Sequence, residues 1–349
     1  MALLFMDSFD HYVTADLAAK WTTVDSGGTY TDISATSGRR SGGAVRSGNS
    51  ASNSVAPFVT KTLAPADATI ILGCAVKPTT INADYPLFTV GDNSAWHGGL
   101  YGAGGNTLNY RRGPNYGGTV LGATSALTTG SFTYLEIRVT ISDTVGVVTV
   151  RFNGTTVLTL TSQDTKDATL AGWTRFGLHS LQGTAGTANV VVDDLYVLDG
   201  SGAAPWNAVL GDVRVDARYP TGAGATTGWT PSAGANWAAV DDATPNGDTD
   251  YVIATTSGLV DTYVVQDAPV AGGTILGVQH CLNIKKMDAS TCTVAPVIRH
   301  SSTNYVGADL APSTAYGYGL QIAATNPGTS AAWVEADFNN AEFGFKRTS

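Results

Sequence analysis

The sequence predicts an all-β chain, built as two β-sandwich (jelly-roll) domains in tandem, and three observations carry that class. Gly accounts for 41 of 349 residues and charged side chains for only 13%, against ordinary shares of about 7% and about 25%. Of the 28 acidic residues all but Glu136, Glu335 and Glu342 are Asp, and Lys is scarce, so the chain lacks strong helix formers while Thr, Val and Asn abound. An apolar fraction of 43% supplies ample core, so the low charge does not mean disorder. A length of 349 residues suits two β domains rather than one small one.

The clearest element is Tyr134–Ile141, where apolar and polar residues alternate without fault, as in a strand with one face on a core. Val147–Phe152 and Thr155–Leu160 flank Asn153-Gly154, a strong hairpin signal because a type I′ turn needs φ > 0 twice. Pairing Phe152 with Thr155 sets Val150 opposite Val157 and Val148 opposite Thr159. Further strands are expected at Ala2–Asp7, Thr69–Val76, Leu87–Val90, Thr107–Arg111, Thr174–His179 and Ala188–Leu198, separated by turn-rich stretches. Many short strands with Gly, Ser and Asn turns indicate a sandwich rather than βαβ units.

Asp199-Gly200-Ser201-Gly202-Ala203-Ala204-Pro205 has the small, flexible composition of a linker. It divides a first domain at 1–200 from a linker at 201–206 and a second sandwich at 207–349. The second half offers strands at Asp212–Ala217, Asp250–Ala254, Thr262–Gln266, Ile275–Lys285, Thr293–His300 and Ala315–Ala323, a short helix within Ala331–Ala341, and a closing strand at Phe343–Phe345.

Net charge is −9 and pI about 4.8. The basic dyads Arg39-Arg40, Arg111-Arg112 and Lys285-Lys286 never grow into the basic patch that phosphate-backbone binding needs, so nucleic acid is not an expected partner. No apolar run reaches the ~18 residues of a membrane span. The opening Ala2–Met6 has no basic n-region and no cleavage site, which predicts a product made in the cytoplasm without a signal peptide. The three cysteines include no CxxC pair. With Lys286 facing Thr291 across a Met287–Ser290 turn, Cys281 and Cys292 are too far apart for a disulfide, and all three are expected as buried free thiols.

No G-x-S-x-G elbow, HExxH, Walker loop or GxGxxG is present, and Gly102-Ala103-Gly104-Gly105 reads as a flexible loop. Sandwich glycosidases need two carboxylates about 5–9.5 Å apart. The three Glu are isolated, and Glu136 between Tyr134 and Arg138 reads as a solvent-face residue. No catalytic residue is therefore expected. Asp241, Asp242, Asn246, Asp248 and Asp250 are either ligands for Ca2+, a hard cation, or a solvated acidic turn. Asp92–Gly118 gathers Trp96, His97, Tyr101, Tyr110, Arg111, Arg112 and Tyr116 among glycines. Exposed rings stack on sugar faces and Gly admits a ligand to the backbone; the same rings also suit packing or a subunit contact.

Residues 1–200 resemble the concanavalin A-like (laminin G-like) sandwich domains of tailed-bacteriophage structural proteins. The likeness lies in Phe5-Met6-Asp7-Ser8-Phe9-Asp10, the Ser37–Gly43 patch, the Tyr134–Leu160 strand pair and Asp193-Asp194-Leu195-Tyr196-Val197. Residues 205–349 resemble the domain often joined to it, through Leu210–Val215, Trp229-Thr230-Pro231 and Trp333 to Gly344. The resemblance implies a non-enzymatic virion protein, tail-associated as a tail, fibre, spike or collar component. It would be a homo-oligomer docked on other virion proteins, with a host-surface glycan as a further partner. The alternatives are a head-decorating or head-fibre protein, and a carbohydrate-binding module or glycanase.

Overall fold

The computed structural model describes residues 3–24, 31–48, 58–113, 117–167, 172–181 and 189–349. Strand makes up 45% of the chain and helix 6%, so the protein is all-β. The chain forms two compact units, Met1–Val215 and Asp216–Ser349.

The first unit is a sandwich of two antiparallel sheets. The first sheet orders its strands Thr155–Gln163, Gly146–Phe152, Thr133–Thr140, Thr69–Pro78, Val190–Asp199, Ala44–Ser47 and Asp32–Ser34, and Leu3–Asp7 also pairs with Val190–Asp199. The second orders Thr119–Ala123, Leu108–Arg112, Trp96–Gly102, Pro86–Gly91, Arg175–Leu178, Val59–Thr62 and Thr23–Val24. Phe5 from the first sheet and Phe176 from the second both pack on Trp21, with ring centroids 5.3 and 5.9 Å away, so aromatic edges tie the two layers together. Asp7 and Lys20 form a fully buried ion pair at 2.9 Å, and the Tyr12 hydroxyl donates to the same carboxylate.

The 147–160 hairpin turns at Asn153-Gly154, both at positive φ, with Phe152 opposite Thr155. A bulge then shifts the register, so Val150 faces Leu158 and Val148 faces Leu160, one residue beyond the alternation-based pairing. Glu136 corrects the sequence reading more strongly. It is wholly buried, because the segment after the last strand lies across the outer face of the first sheet. There the Gly211 N–H donates to the Glu136 carboxylate at 2.7 Å, Val215 N–H donates to Asp194 at 2.8 Å, and Asp212 pairs with Arg39 at 2.5 Å. The expected strand Asp212–Ala217 therefore forms no ladder. The first unit runs nine residues past the 201–206 linker.

The second unit holds a five-stranded sheet ordered Pro220–Thr227, Val260–Val265, Glu342–Arg347, Val294–His300 and Thr303–Val306. Two ribbons accompany it, Thr230–Pro231 with Val252–Ile253 and Val278–Ile284 with Gly317–Ala323. Its core gathers Ile298, Trp333, Phe338, Ala341 and Phe343 around a helix at Glu335–Asn339. The expected 281–296 hairpin does not form: Cys281 pairs with Leu320, and Val294–His300 joins the larger sheet. Of the three free cysteines only Cys74 is fully buried. Among the described residues no helix is long and apolar enough to cross a membrane.

Candidate functional site

The antiparallel register of the second sheet sets Thr60, Gly177, Thr89, Gly99 and Arg111 in one row across five strands. Directly opposed residues share a face, and so do residues two apart along a strand. That face therefore also carries Arg175, His179 and Tyr101. The alternate residues Phe88, Val90, Leu100, Tyr110 and Phe176 are all but fully buried in the core. The polar row thus lies on the outer face of the sandwich.

The side chains of this face make contacts in two groups. Thr89 Oγ1 lies 2.8 Å from His179 Nε2, and the Arg111 guanidinium sits 5.4 Å from the Tyr101 ring centroid while pairing with the Asp84 carboxylate. Trp96 meets His179 edge to face at 6.2 Å, and Arg175 lies over the Trp96 ring at 4.0 Å. Thr89 and Tyr101 are 1% exposed, His179 2% and Arg111 7%, so the middle of the face is sunken. Trp96 and Arg175 at one end are half-buried, and Asp84 at the other is half-exposed.

Local chemistry explains the sinking. Gly102 donates to Tyr85 O and accepts from the Asp84 N–H, both at 2.8 Å, which holds the 82–85 connection against the strand end. A Cβ on Gly102 would come within 2.2 Å of Asn82 O, and one on Gly99 within 2.0 Å of Phe88 O. Only glycine admits such close backbone approach.

The structure divides the candidates from the Asp92–Gly118 segment. Trp96, Tyr101 and Arg111 meet on the outer face. Tyr110 points into the core, where burial pushes its phenol pKa up; it is corrected from binding residue to packing residue. His97 is likewise corrected: it falls at the bulge between the Gly91–Trp96 and Val90–Gly98 pairs, is fully buried, and accepts the Asp167 N–H through Nδ1 at 3.0 Å. Burial lowers its pKa. Arg112 pairs with Asp164 in a polar cleft of about 320 Å³ lined also by Gly118, Thr119, Lys166 and Asp167. Lys166 there already has Asp143 at 3.1 Å. Tyr116 lies outside the described residues. Thr89, His179, Arg175 and Asp84 were absent from the sequence-based set. The alternation Arg175-Gly177-His179 was visible, but nothing local says which sheet that strand joins.

In the acidic turn the Asn246 amide donates to Asp242 at 2.7 Å and also to Asp250. Asp248 pairs with Lys285 at 2.6 Å and accepts from the Tyr316 hydroxyl at 2.9 Å. Among the described residues no group of three or more acidic, His or Cys side chains converges as a metal site.

No family model and no curated protein sequence matches the chain. Solved structures do. An endo-β-1,4-glucuronan lyase from the fungus Trichoderma reesei is similar over 50% of this chain and 92% of its own, at 15% identity and TM-score 0.38. Alginate lyase Aly36B is similar over 56% and 96%, at 14% identity and TM-score 0.37. Trypanosoma rangeli sialidase is similar over 48% of this chain and 27% of its own, at 14% identity and TM-score 0.32. The structures named are glycan lyases and a sialidase, not phage structural proteins, and the expectation of a non-enzymatic virion component is corrected accordingly.

Proposed function

We propose that the first unit is a carbohydrate-active sandwich that binds and cleaves a glycan on the outer face of its second sheet. The observation that carries this reading is the Arg111–Tyr101 pair and the His179–Thr89 pair on one sunken sheet face, with Trp96 against His179. Indole and phenol rings suit sugar faces. An imidazole and a phenol are the side chains suited to taking and returning a proton, and a guanidinium stabilises negative charge developing beside them. The two carboxylates of a glycosidase are not part of this set: Asp84, the acid that touches it, is already paired with Arg111. What the set fits is elimination. One of His179 and Tyr101 removes a ring proton, the adjacent glycosidic C–O bond breaks, and the leaving oxygen takes up a proton.

The test is incubation of the full chain with a panel of acidic and neutral polysaccharides, with chain cleavage followed by reducing ends and new C=C bonds by ultraviolet absorbance. Cleavage with absorbance, lost in His179→Ala and Tyr101→Phe while binding persists, is the expected result. Reducing ends without absorbance would replace elimination by hydrolysis, and no glycan binding at all would overturn the reading.

A further inference from the structure

Arg175 has no carboxylate within 4.0 Å among the described residues, a lack it shares with Arg138 in the first unit, whereas Arg39, Arg46, Arg111 and Arg112 each have one. Its Nε is buried without a hydrogen-bond partner, and its guanidinium lies over the Trp96 ring at 4.0 Å. Asp92, the acid whose charge it feels, is held by its own turn: Oδ1 accepts from Ser94 N–H at 2.7 Å, Ser94 Oγ at 2.6 Å and Ala95 N–H at 3.0 Å.

A half-buried cation without an ion-pair partner is costly to the folded protein. Burial accordingly holds the Arg175 pKa below its ordinary value. Stacking on the indole offsets part of this cost and fixes the plane of the guanidinium, so its N–H fork is preorganised for a planar, two-oxygen anion. Arg175 shares the outer face with Thr89 and His179, two residues before Gly177 in the central row.

We infer that Arg175, seated on Trp96, is a subsite for the carboxylate of an acidic sugar, so that the glycan bound on this face is a polyuronate or another carboxylate-bearing chain. The inference rests on the glycan reading above and adds to it the class of sugar and the residue that selects it. Arg175 positions the charged substituent, and the proton-transfer pair lies deeper in the face.

The experiment compares binding of polygalacturonate and of a neutral cello-oligosaccharide to the full-length protein by calorimetry at low and high salt. The wild type is expected to prefer the acidic chain, with affinity falling as salt rises. Arg175→Gln should weaken polyuronate binding by about 10–100-fold, leave the neutral ligand unaffected, and keep or raise the melting temperature because an unpaired charge is removed. Arg175→Lys, which keeps the charge and loses the fork, should retain part of the affinity and serves as the folded control. Equal polyuronate binding by Arg175→Gln and wild type, or a wild type that prefers the neutral ligand, would overturn the subsite while leaving the glycan reading intact. Binding of neither polymer would overturn both.

Discussion

The Tyr196 hydroxyl donates to the Glu136 carboxylate at 2.8 Å across an intervening strand. It reaches that far because Gly73, paired with both residues, lies between them: a Cβ on Gly73 would sit 2.2 Å from the Tyr196 ring. The same hydroxyl accepts from Leu210 N–H at 2.9 Å, and Glu136 accepts from Gly211 N–H at 2.7 Å. A buried pair on the first sheet thus receives the chain that follows the last strand.

Removing either partner leaves buried donors unmet. Glu136→Ala should destabilise the first unit by about 2–4 kcal/mol and Tyr196→Phe by about 1–2 kcal/mol. Glu136→Gln should cost less, since its amide oxygen still accepts from both donors. Chemical denaturation checks this order, and a double-mutant cycle should show strong coupling between the two positions.

Gly73→Ala should cost about 1–3 kcal/mol by overpacking. Combining it with Tyr196→Ala, which clears the ring from that space, should give a loss smaller than the sum of the two single changes. Additive losses in thermal melts would place the strain elsewhere.

A fragment ending at Val215 should be more stable than one ending at Pro205. The shorter fragment loses the Leu210, Gly211 and Val215 hydrogen bonds and the Arg39–Asp212 pair. Equal melting temperatures would show that this segment contributes nothing to the sandwich.

Asp193 links stability to pH. Burial, then the neighbouring Asp194 charge, raises its pKa from 3.8 to about 7. A raised folded-state pKa favours the protonated form, so this contribution is complete below 3.8 and declines as pH climbs through about 7. Asp193→Asn should flatten the fall in melting temperature over that interval. An unchanged slope would assign the pH dependence to other groups.

Chelator and added Ca2+ should leave the melting temperature of the second unit unchanged. The acidic turn meets its charge through the Asn246 amide and Lys285. Asn246→Ala should cost under about 1 kcal/mol at so exposed a site. A Ca2+-dependent rise in melting temperature would restore the cation reading of Asp241–Asp250.

Period-two alternation at Tyr134–Ile141 and the Asn153-Gly154 turn were legible in the sequence, because strand and tight-turn geometry depend on neighbours only. Composition likewise determined the all-β class. The strand at Trp96–Gly102 was hidden by its glycines, which carry no strand propensity yet are needed where backbones nearly touch. The fate of the polar faces was also not local. Glu136 alternates like a solvent residue and becomes buried only because residues 210–215 return across its sheet. The outer-face set joins Thr89, Arg111 and His179 from three strands, and sequence spacing cannot say which strands will pair. Local residue order decided what each segment became; long-range register decided which side chains met, and with them the site.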